Sequence, residues 1–150
     1  MKKKFGIIGK PIKHSLSPVL HKYWFKKYGI NADYEIIEAD NKELPEIIKK
    51  IKLEDYAGIN VTLPFKQKII HHIDKLVNDA EITGSVNTVL LNNDKTVIGE
   101  NTDVYGLQAA YLKEIDKSHN KKALVVGAGG VSPSVILSIK KSGIKNISVT

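Results

Sequence analysis

Gly58-Ile59-Asn60-Val61-Thr62-Leu63-Pro64-Phe65-Lys66 is the stretch whose reading decides the fold. Ile59 and Val61 are apolar and β-branched, and Gly58 punctuates the chain before them, so the segment predicts a short buried strand. Asn60 and Thr62 interrupt it. Buried polar side chains need partners, so these two either bond to backbone or face a ligand. Pro64 ends the ladder. Lys66 then falls just past the strand's carboxyl end, where open α/β sheets bind ligands. It is either placed for chemistry or anion binding, or one more surface lysine of a Lys-rich chain.

Upstream, Phe5-Gly6-Ile7-Ile8-Gly9 predicts a first strand. Ser17 as N-cap and Pro18 at the first helical position start a helix from Val19 to about Tyr28, stopped by Gly29. Leu20, Tyr23, Trp24 and Tyr28 supply its apolar spacing. Residues 33–39 alternate as a strand. Residues 41–52 predict a helix with Leu44, Ile47, Ile48 and Ile51 on its buried stripe. This β-α-β-α-β order favours a largely parallel sheet covered by helices. Ser15 and Ser17 flank a helix N-terminus, where N–H groups and the dipole favour an anion such as a carboxylate. The same serines also suit simple capping.

Downstream, a helical turn reaches His71, and a short helix is expected from Lys75 to Ile82, ended at Gly84. Residues 86–91 and 96–99 predict a hairpin turning through Asn92-Asn93-Asp94-Lys95. Asn87 at its start is a second polar residue in an apolar strand. Asp103 opens a helix expected over 104–114. It is either a first-turn acid or a carboxylate reaching a cleft, able to pair with a lysine. The polar, Lys-rich run from Asp116 to Lys122 predicts a boundary. Ala123-Leu124-Val125-Val126 then reads as a strand running into Gly127-Ala128-Gly129-Gly130-Val131. A helix from Pro133 to Ser142 and a strand from Asn146 follow. Strand, glycine loop, helix and strand open a dinucleotide-binding unit, the loop admitting a pyrophosphate to the helix N-terminus. Ser132, at the usual third glycine position, is small enough for close packing.

The fold expected is therefore α/β. A mostly parallel α/β sandwich is expected over residues 1–103, the part that a family resemblance, carried by motifs quoted below, implies is the substrate-binding and catalytic domain. A linking helix and linker cover 104–120, and residues 121–150 begin a Rossmann dinucleotide-binding domain that is incomplete at Thr150.

Composition narrows the function classes. Hydrophobic content of 42% and charged content of 26% are ordinary for a soluble globular chain, and no apolar run is long enough to span a membrane. The net charge of +7 comes from 23 basic residues, all lysine and scattered. Nucleic-acid binders concentrate charge on one face and use arginine forks, so nucleic acid is not an expected partner. An anionic small molecule would be drawn to this charge. With no cysteine there is no disulfide and no thiolate metal site, which suits the cytoplasm. His71 and His72 are adjacent rather than three or four apart, so no metal is expected.

Five ordered motifs together resemble the shikimate/quinate dehydrogenase family over the whole chain. They are Gly9-Lys10-Pro11 leading to His14-Ser15-Leu16-Ser17-Pro18, Asn60-Val61-Thr62-Leu63-Pro64-Phe65-Lys66, Gly84-Ser85-Val86-Asn87-Thr88, Asn101-Thr102-Asp103, and Gly127-Ala128-Gly129-Gly130. The first four are specific in combination; the fifth is shared with many nucleotide-binding proteins. The resemblance implies reversible NADP-dependent reduction of 3-dehydroshikimate to shikimate, a step toward chorismate and the aromatic amino acids. It implies that Ser15 and Ser17 hold the substrate carboxylate and that Asn60, Thr62, Asn87 and Asp103 surround the ring hydroxyls. Lys66 and Asp103 would be the catalytic pair, and Gly127, Ala128, Gly129, Gly130 and Val131 would hold the NADP pyrophosphate, with no metal. Lys22 stands where the family often has asparagine. Val131-Ser132-Pro133-Ser134 stands where it has small residues and often an arginine. The segment that reads the ribose 2′ position would follow Thr150, so NADP over NAD rests on family habit. The expected partner is a small molecule, with a homodimer left open. Quinate as substrate and a non-catalytic carboxylate-binding module are the alternatives. A chain with half a cofactor site is expected to turn over poorly.

Overall fold

The computed structural model describes residues 2–114 and 121–150. The first sheet has six strands in the order β2-β1-β3-β5-β6-β4. They are β1 (Lys3–Gly9), β2 (Ala32–Glu38), β3 (Gly58–Val61), β4 (Lys75–Leu76), β5 (Thr88–Leu91) and β6 (Val97–Glu100). β1 pairs in parallel with both β2 and β3, and β4 pairs in parallel with β6. The β5–β6 hairpin is antiparallel and joins β3 antiparallel. Parallel pairing therefore prevails, as the β-α-β-α-β reading requires.

Side chains alternate across a strand, and β1 divides accordingly. Ile8 is wholly buried on one face with Ile59, Val61 and helix α2 (Leu44–Lys52), whose Leu44, Ile47, Ile48 and Ile51 form the expected stripe. Ile7 lies on the opposite face with Ile12, Tyr34 and Phe25. Phe25 belongs to α1 (Ser17–Lys27). Each face of the sheet thus carries a helix.

Helix α1 departs from the expectation in two ways. Leu20, Tyr23, Trp24 and Tyr28 are exposed rather than packed, and no residue of α1 is fully buried. The helix meets the sheet through the other side, where Phe25 and His21 lie. The cap also differs. Leu16 occupies the N-cap position, and Ser17 is already inside the helix with Pro18 in the first turn.

Two further differences follow from short elements. Where a helix was expected over Lys75–Ile82, the chain forms the two-residue edge strand β4 and then α3 (Asp79–Thr83), with Gly84 as a left-handed cap at φ +57°. The edge strand forms because β6 offers a free ladder there: Asp74 and Val77 backbone N–H groups donate to the Val97 and Gly99 carbonyls. Helix α4 (Asp103–Ala110) ends sooner than expected and passes into a 3-10 turn at Leu112–Glu114. Most of the expected boundary, residues 116–120 with His119, lies outside the described residues.

A second, two-stranded parallel sheet joins β7 (Lys122–Val125) and β8 (Asn146–Val149) around α5 (Ser132–Lys141). Its small core is Leu112, Val125 and Ile139, with α4 packed on α5.

Candidate active site

Lys66 is fixed by what surrounds it. The chain leaves β3 through a cis Leu63–Pro64 bond, and the Phe65 N–H donates to the Thr62 carbonyl, closing a turn. Phe65 and Ile69 anchor this turn in the main core, at 2% and 0% exposure. The Lys66 carbonyl accepts from the Val86 N–H, which ties it to the segment entering β5. Its side chain is therefore delivered past the carboxyl end of β3 from a well-anchored base. There Lys66 Nζ donates to Asp103 Oδ2 at 2.7 Å. Only 11% of the lysine side chain and 28% of the aspartate are exposed. A pair so screened from water interacts more strongly than a surface pair.

Asp103 is the first residue of α4, where the dipole favours a carboxylate. Its other oxygen, Oδ1, accepts from Asn87 Nδ2 at 2.8 Å. Asn87 also donates to Thr102 Oγ1 at 2.9 Å, and its Oδ1 accepts from the Thr102 N–H at 3.0 Å and from the Thr88 hydroxyl at 3.0 Å. Asn60, inside β3, donates to Thr88 Oγ1 at 3.2 Å and to the Asn87 carbonyl at 3.3 Å. The Tyr34 phenol on β2 donates to Asn60 Oδ1 at 2.7 Å. Burial pushes the Tyr34 phenol's pKa up, with the Ser17 hydroxyl beside it acting in the other direction. One chain of polar groups thus runs from Tyr34 through Asn60, Thr88 and Asn87 to Asp103 and Lys66.

Ser15 and Ser17 sit half-buried at the entrance of α1, with the Ser15 hydroxyl accepting from the Ser17 N–H at 3.2 Å. His21, one turn on, bonds through Nδ1 to the Ser17 carbonyl at 2.9 Å and stacks on Tyr34 with ring centroids 4.1 Å apart. Thr62 lies directly after β3. A Cβ on Gly9 would meet its methyl carbon at 2.7 Å, so the two strand ends approach as closely as glycine permits.

The glycine loop stands across from Lys66. A Cβ on Gly130 would lie 3.8 Å from the Lys66 Cβ. Gly127 takes φ +101°, a conformation that suits glycine, and its N–H donates to the Thr150 carbonyl. The Ser132 hydroxyl donates to the Gly127 carbonyl at 2.8 Å, and the Ser132 N–H to the Gly129 carbonyl. Gly127, Ala128, Gly129 and Val131 are exposed, and no other atom lies within 4 Å of where a Cβ would stand on Gly127 or Gly129. An open loop without bulky side chains, leading into a helix N-terminus, fits a pyrophosphate. Among the described residues no cluster of three or more His, Asp or Glu side chains is placed to hold a metal ion.

Lys66, Asn87, Asp103 and Asn60, singled out from sequence, are joined in one network. Ser17 stands beside the Tyr34 end of it, and Ser15 bonds the Ser17 N–H. Tyr34, Ser85, Asn101 and Ser134 went unread as site residues. Ser85 and Asn101 sit inside two of the motifs quoted, which was the available signal. Tyr34 and Ser134 carried none.

Known proteins resemble this chain in sequence and in fold. The sequence profile described as "Shikimate dehydrogenase substrate binding domain" matches residues 7–89. Shikimate dehydrogenase (NADP(+)) of Pelagibacter ubique (strain HTCC1062) is 49% identical over 147 residues, covering 98% of this chain and 55% of that protein. Its counterpart in Pyrococcus furiosus is 40% identical over 139 residues, covering 93% and 50%. The crystal structure of shikimate 5-dehydrogenase from Listeria monocytogenes, in complex with shikimate and NAD, superposes with a TM-score of 0.87 at 34% identity, covering 99% of this chain and 51% of that one. The chain spans about half the length of the curated relatives it matches. With the profile covering more than half of its residues, this chain belongs to the shikimate dehydrogenase family, through that family's substrate-binding domain.

Proposed function

We propose that these residues carry the substrate site and the catalytic pair of an NADP-dependent shikimate dehydrogenase, interconverting 3-dehydroshikimate and shikimate. The observation that carries this reading is the screened Lys66–Asp103 pair at 2.7 Å, standing beside Gly130 of the glycine loop. A nicotinamide bound at that loop would supply or accept hydride. In the reducing direction negative charge grows on the substrate's ketone oxygen. Lys66 Nζ stabilises that charge and delivers a proton to it. Asp103 keeps the ammonium oriented and accepts a neighbouring ring hydroxyl. Asn87 fixes the Asp103 carboxylate by binding its second oxygen. Asn60 and Thr62 face the remaining hydroxyls, and the α1 entrance with Ser15 and Ser17 receives the carboxylate.

Gly127, Ala128, Gly129, Gly130 and Val131 would hold the pyrophosphate through backbone N–H groups. NADP is the proposed cofactor because the Pelagibacter and Pyrococcus relatives bear it in their names. The absence of cysteine suits a cytoplasmic enzyme. The division into a unit ending at residue 103 and another beginning at 121 belongs to the same reading, supported by the two separate sheets.

The test is NADP⁺ reduction with shikimate, and with quinate as comparison, by the longest natural polypeptide bearing these residues. Lys66→Ala should lower turnover by about 10²–10⁴-fold, the usual worth of a general acid–base group. Calorimetric titration should still detect shikimate binding. Undiminished turnover in Lys66→Ala would refute the assignment. Turnover of neither substrate by the wild type, with shikimate still bound, would favour a carboxylate-binding module.

A further inference from the structure

Helix α5 presents an unusual face to α3 and α4. Ser132, Ser134 and Ser138 are buried, at 8%, 1% and 0% exposure, where a packed helix ordinarily offers apolar side chains. Their hydroxyls have identifiable partners. Ser138 lies 2.9 Å from the Val104 carbonyl of α4. Ser134 Oγ lies 2.7 Å from Nδ2 of Asn101, which is itself only 3% exposed. From the opposite side, wholly buried Ser85 donates to the Gly130 carbonyl in the glycine loop at 2.8 Å.

Asn101 is the centre of this contact. Its amide nitrogen has the Ser85 carbonyl at 2.8 Å and Thr83 Oγ1 at 3.1 Å, besides Ser134. Its amide oxygen accepts from the backbone N–H of Asp103 at 3.0 Å. One buried side chain therefore grips the helix behind the glycine loop and, at the same time, the residue that holds Lys66. Apolar contacts are non-directional, whereas hydrogen bonds prescribe distance and angle. A polar joint at this place fixes orientation as well as proximity.

We propose that Asn101 and Ser134, with Ser85, form a buried joint that sets the stance of the glycine loop toward the Lys66–Asp103 pair, Asn101 being a positioning residue for the reaction. The inference rests on the proposed function for its catalytic consequence, while the joint itself is testable without turnover. Asn101 touches neither substrate nor cofactor in this scheme; it acts through Asp103 and α5. Misplacing reacting groups by about 1 Å costs on the order of 10²-fold in rate, so a joint that holds two halves of a site in register has a measurable effect.

The experiment compares Ser134→Ala with Ser138→Ala in the 150-residue chain, following backbone amides by ¹⁵N–¹H spectroscopy and hydrogen exchange. Ser138 is the comparison: equally buried and on the same helix, its hydroxyl bonds the Val104 and Ser134 carbonyls and makes no bond to the Asn101 side chain. Ser134→Ala should shift the Asp103 and Gly130 amides and raise Asp103 exchange about fivefold, the equivalent of one ordinary hydrogen bond. Ser138→Ala, which frees the Val104 carbonyl beside Asp103, should leave the Gly130 amide unchanged. Unmoved Asp103 and Gly130 amides in Ser134→Ala, or equal changes in both variants, would overturn the joint. Should the alanine variant not fold, Ser134→Cys, close in size and a weak hydrogen-bonding group, gives the same comparison. In the turnover assay, Ser134→Ala should lower kcat, expressed per active site counted by shikimate titration, about tenfold with the shikimate KM unchanged, a loss that an unfolded fraction does not produce once active sites are counted. Unchanged kcat beside shifted amides would overturn the positioning role. A wild type that turns nothing over would overturn the functional reading and leave the amide comparison to decide the joint.

Discussion

Removing the Tyr34 hydroxyl with Tyr34→Phe tests how the polar chain at the sheet edge is held. The ring is 2% exposed and stacks on His21, so phenylalanine keeps the packing and loses only the phenol oxygen. What disappears is a 2.7 Å bond to Asn60 Oδ1. An ordinary buried hydrogen bond is worth about 1 kcal/mol net, and leaving its acceptor without a partner costs ~1–3 kcal/mol. Asn60 is half-buried, so water can reach its oxygen and the cost falls at the lower end. The expected loss of stability is about 1–2 kcal/mol. With a urea m-value of about 2 kcal/mol/M, the midpoint falls by about 0.5–1 M. Trp24, the single tryptophan, gives a convenient fluorescence signal because it packs edge-on against His21, which stacks on Tyr34. A second consequence concerns ligand. The Asn60 amide keeps its bonds to the Asn87 carbonyl and Thr88 but loses the one that holds its oxygen, so shikimate affinity should fall about fivefold. A variant within about 0.3 kcal/mol of wild type, at equal m and equal shikimate affinity, would refute the reasoning and make the phenol a passenger in the core.

Gly99→Ala should destabilise by about 1–3 kcal/mol in the same urea assay, as overpacking does; the new Cβ would meet Val86 Cγ2 at 2.9 Å and also run into Ile73. The Asp33 carboxyl is held down to about 2 by the Lys22 ammonium, the Tyr34 backbone N–H and Lys2. A depressed carboxylate contributes stability in full above its ordinary value of 3.8 and loses it as pH falls through about 2. The gap in urea midpoint between wild type and Asp33→Asn should therefore narrow across that window, and a gap independent of pH would count against the ion pairs. Asp103→Asn keeps the bulk of the side chain and removes its charge, so turnover should fall by about 10²-fold or more. Measured kinetics with intact shikimate binding would check this.

Where regular periodicity met a core, the sequence was easy to read. Leu44, Ile47, Ile48 and Ile51 lie on one helical stripe, and all four are buried as that spacing requires. The same reasoning failed at α1 because aromatic residues at helical spacing define a face without saying what covers it. Phe25 and His21 make the sheet contact, while Leu20, Tyr23, Trp24 and Tyr28 look outward. Strand β4 was invisible for another reason. Two residues cannot show alternation, and what holds them is the vacant ladder of β6, a long-range partner. At the site, Lys66, Asn87 and Asp103 stood out as polar residues interrupting or closing apolar segments. Asn101 and Ser134 did not, since their bond spans 33 positions and each alone resembles a loop asparagine or a helix-entry serine. Tyr34 fitted strand alternation so well that nothing announced its hydroxyl's partner.

The β5–β6 hairpin carries a consequence for which changes of length the chain can absorb. Asn87 stands immediately before its outgoing strand and Asp103 soon after its returning one, while the turn at Asn92–Lys95 lies at the far end. The two arms therefore act as the legs of a caliper whose tips are the two side chains bonded at 2.8 Å. Removing one residue from a single leg would slide one tip by about 3.4 Å, more than the length of that bond. Added residues at the turn would leave the tips where they are. Insertions and deletions should thus be tolerated at the turn and excluded from either arm, whose outer partners β3 and β4 fix the register as well.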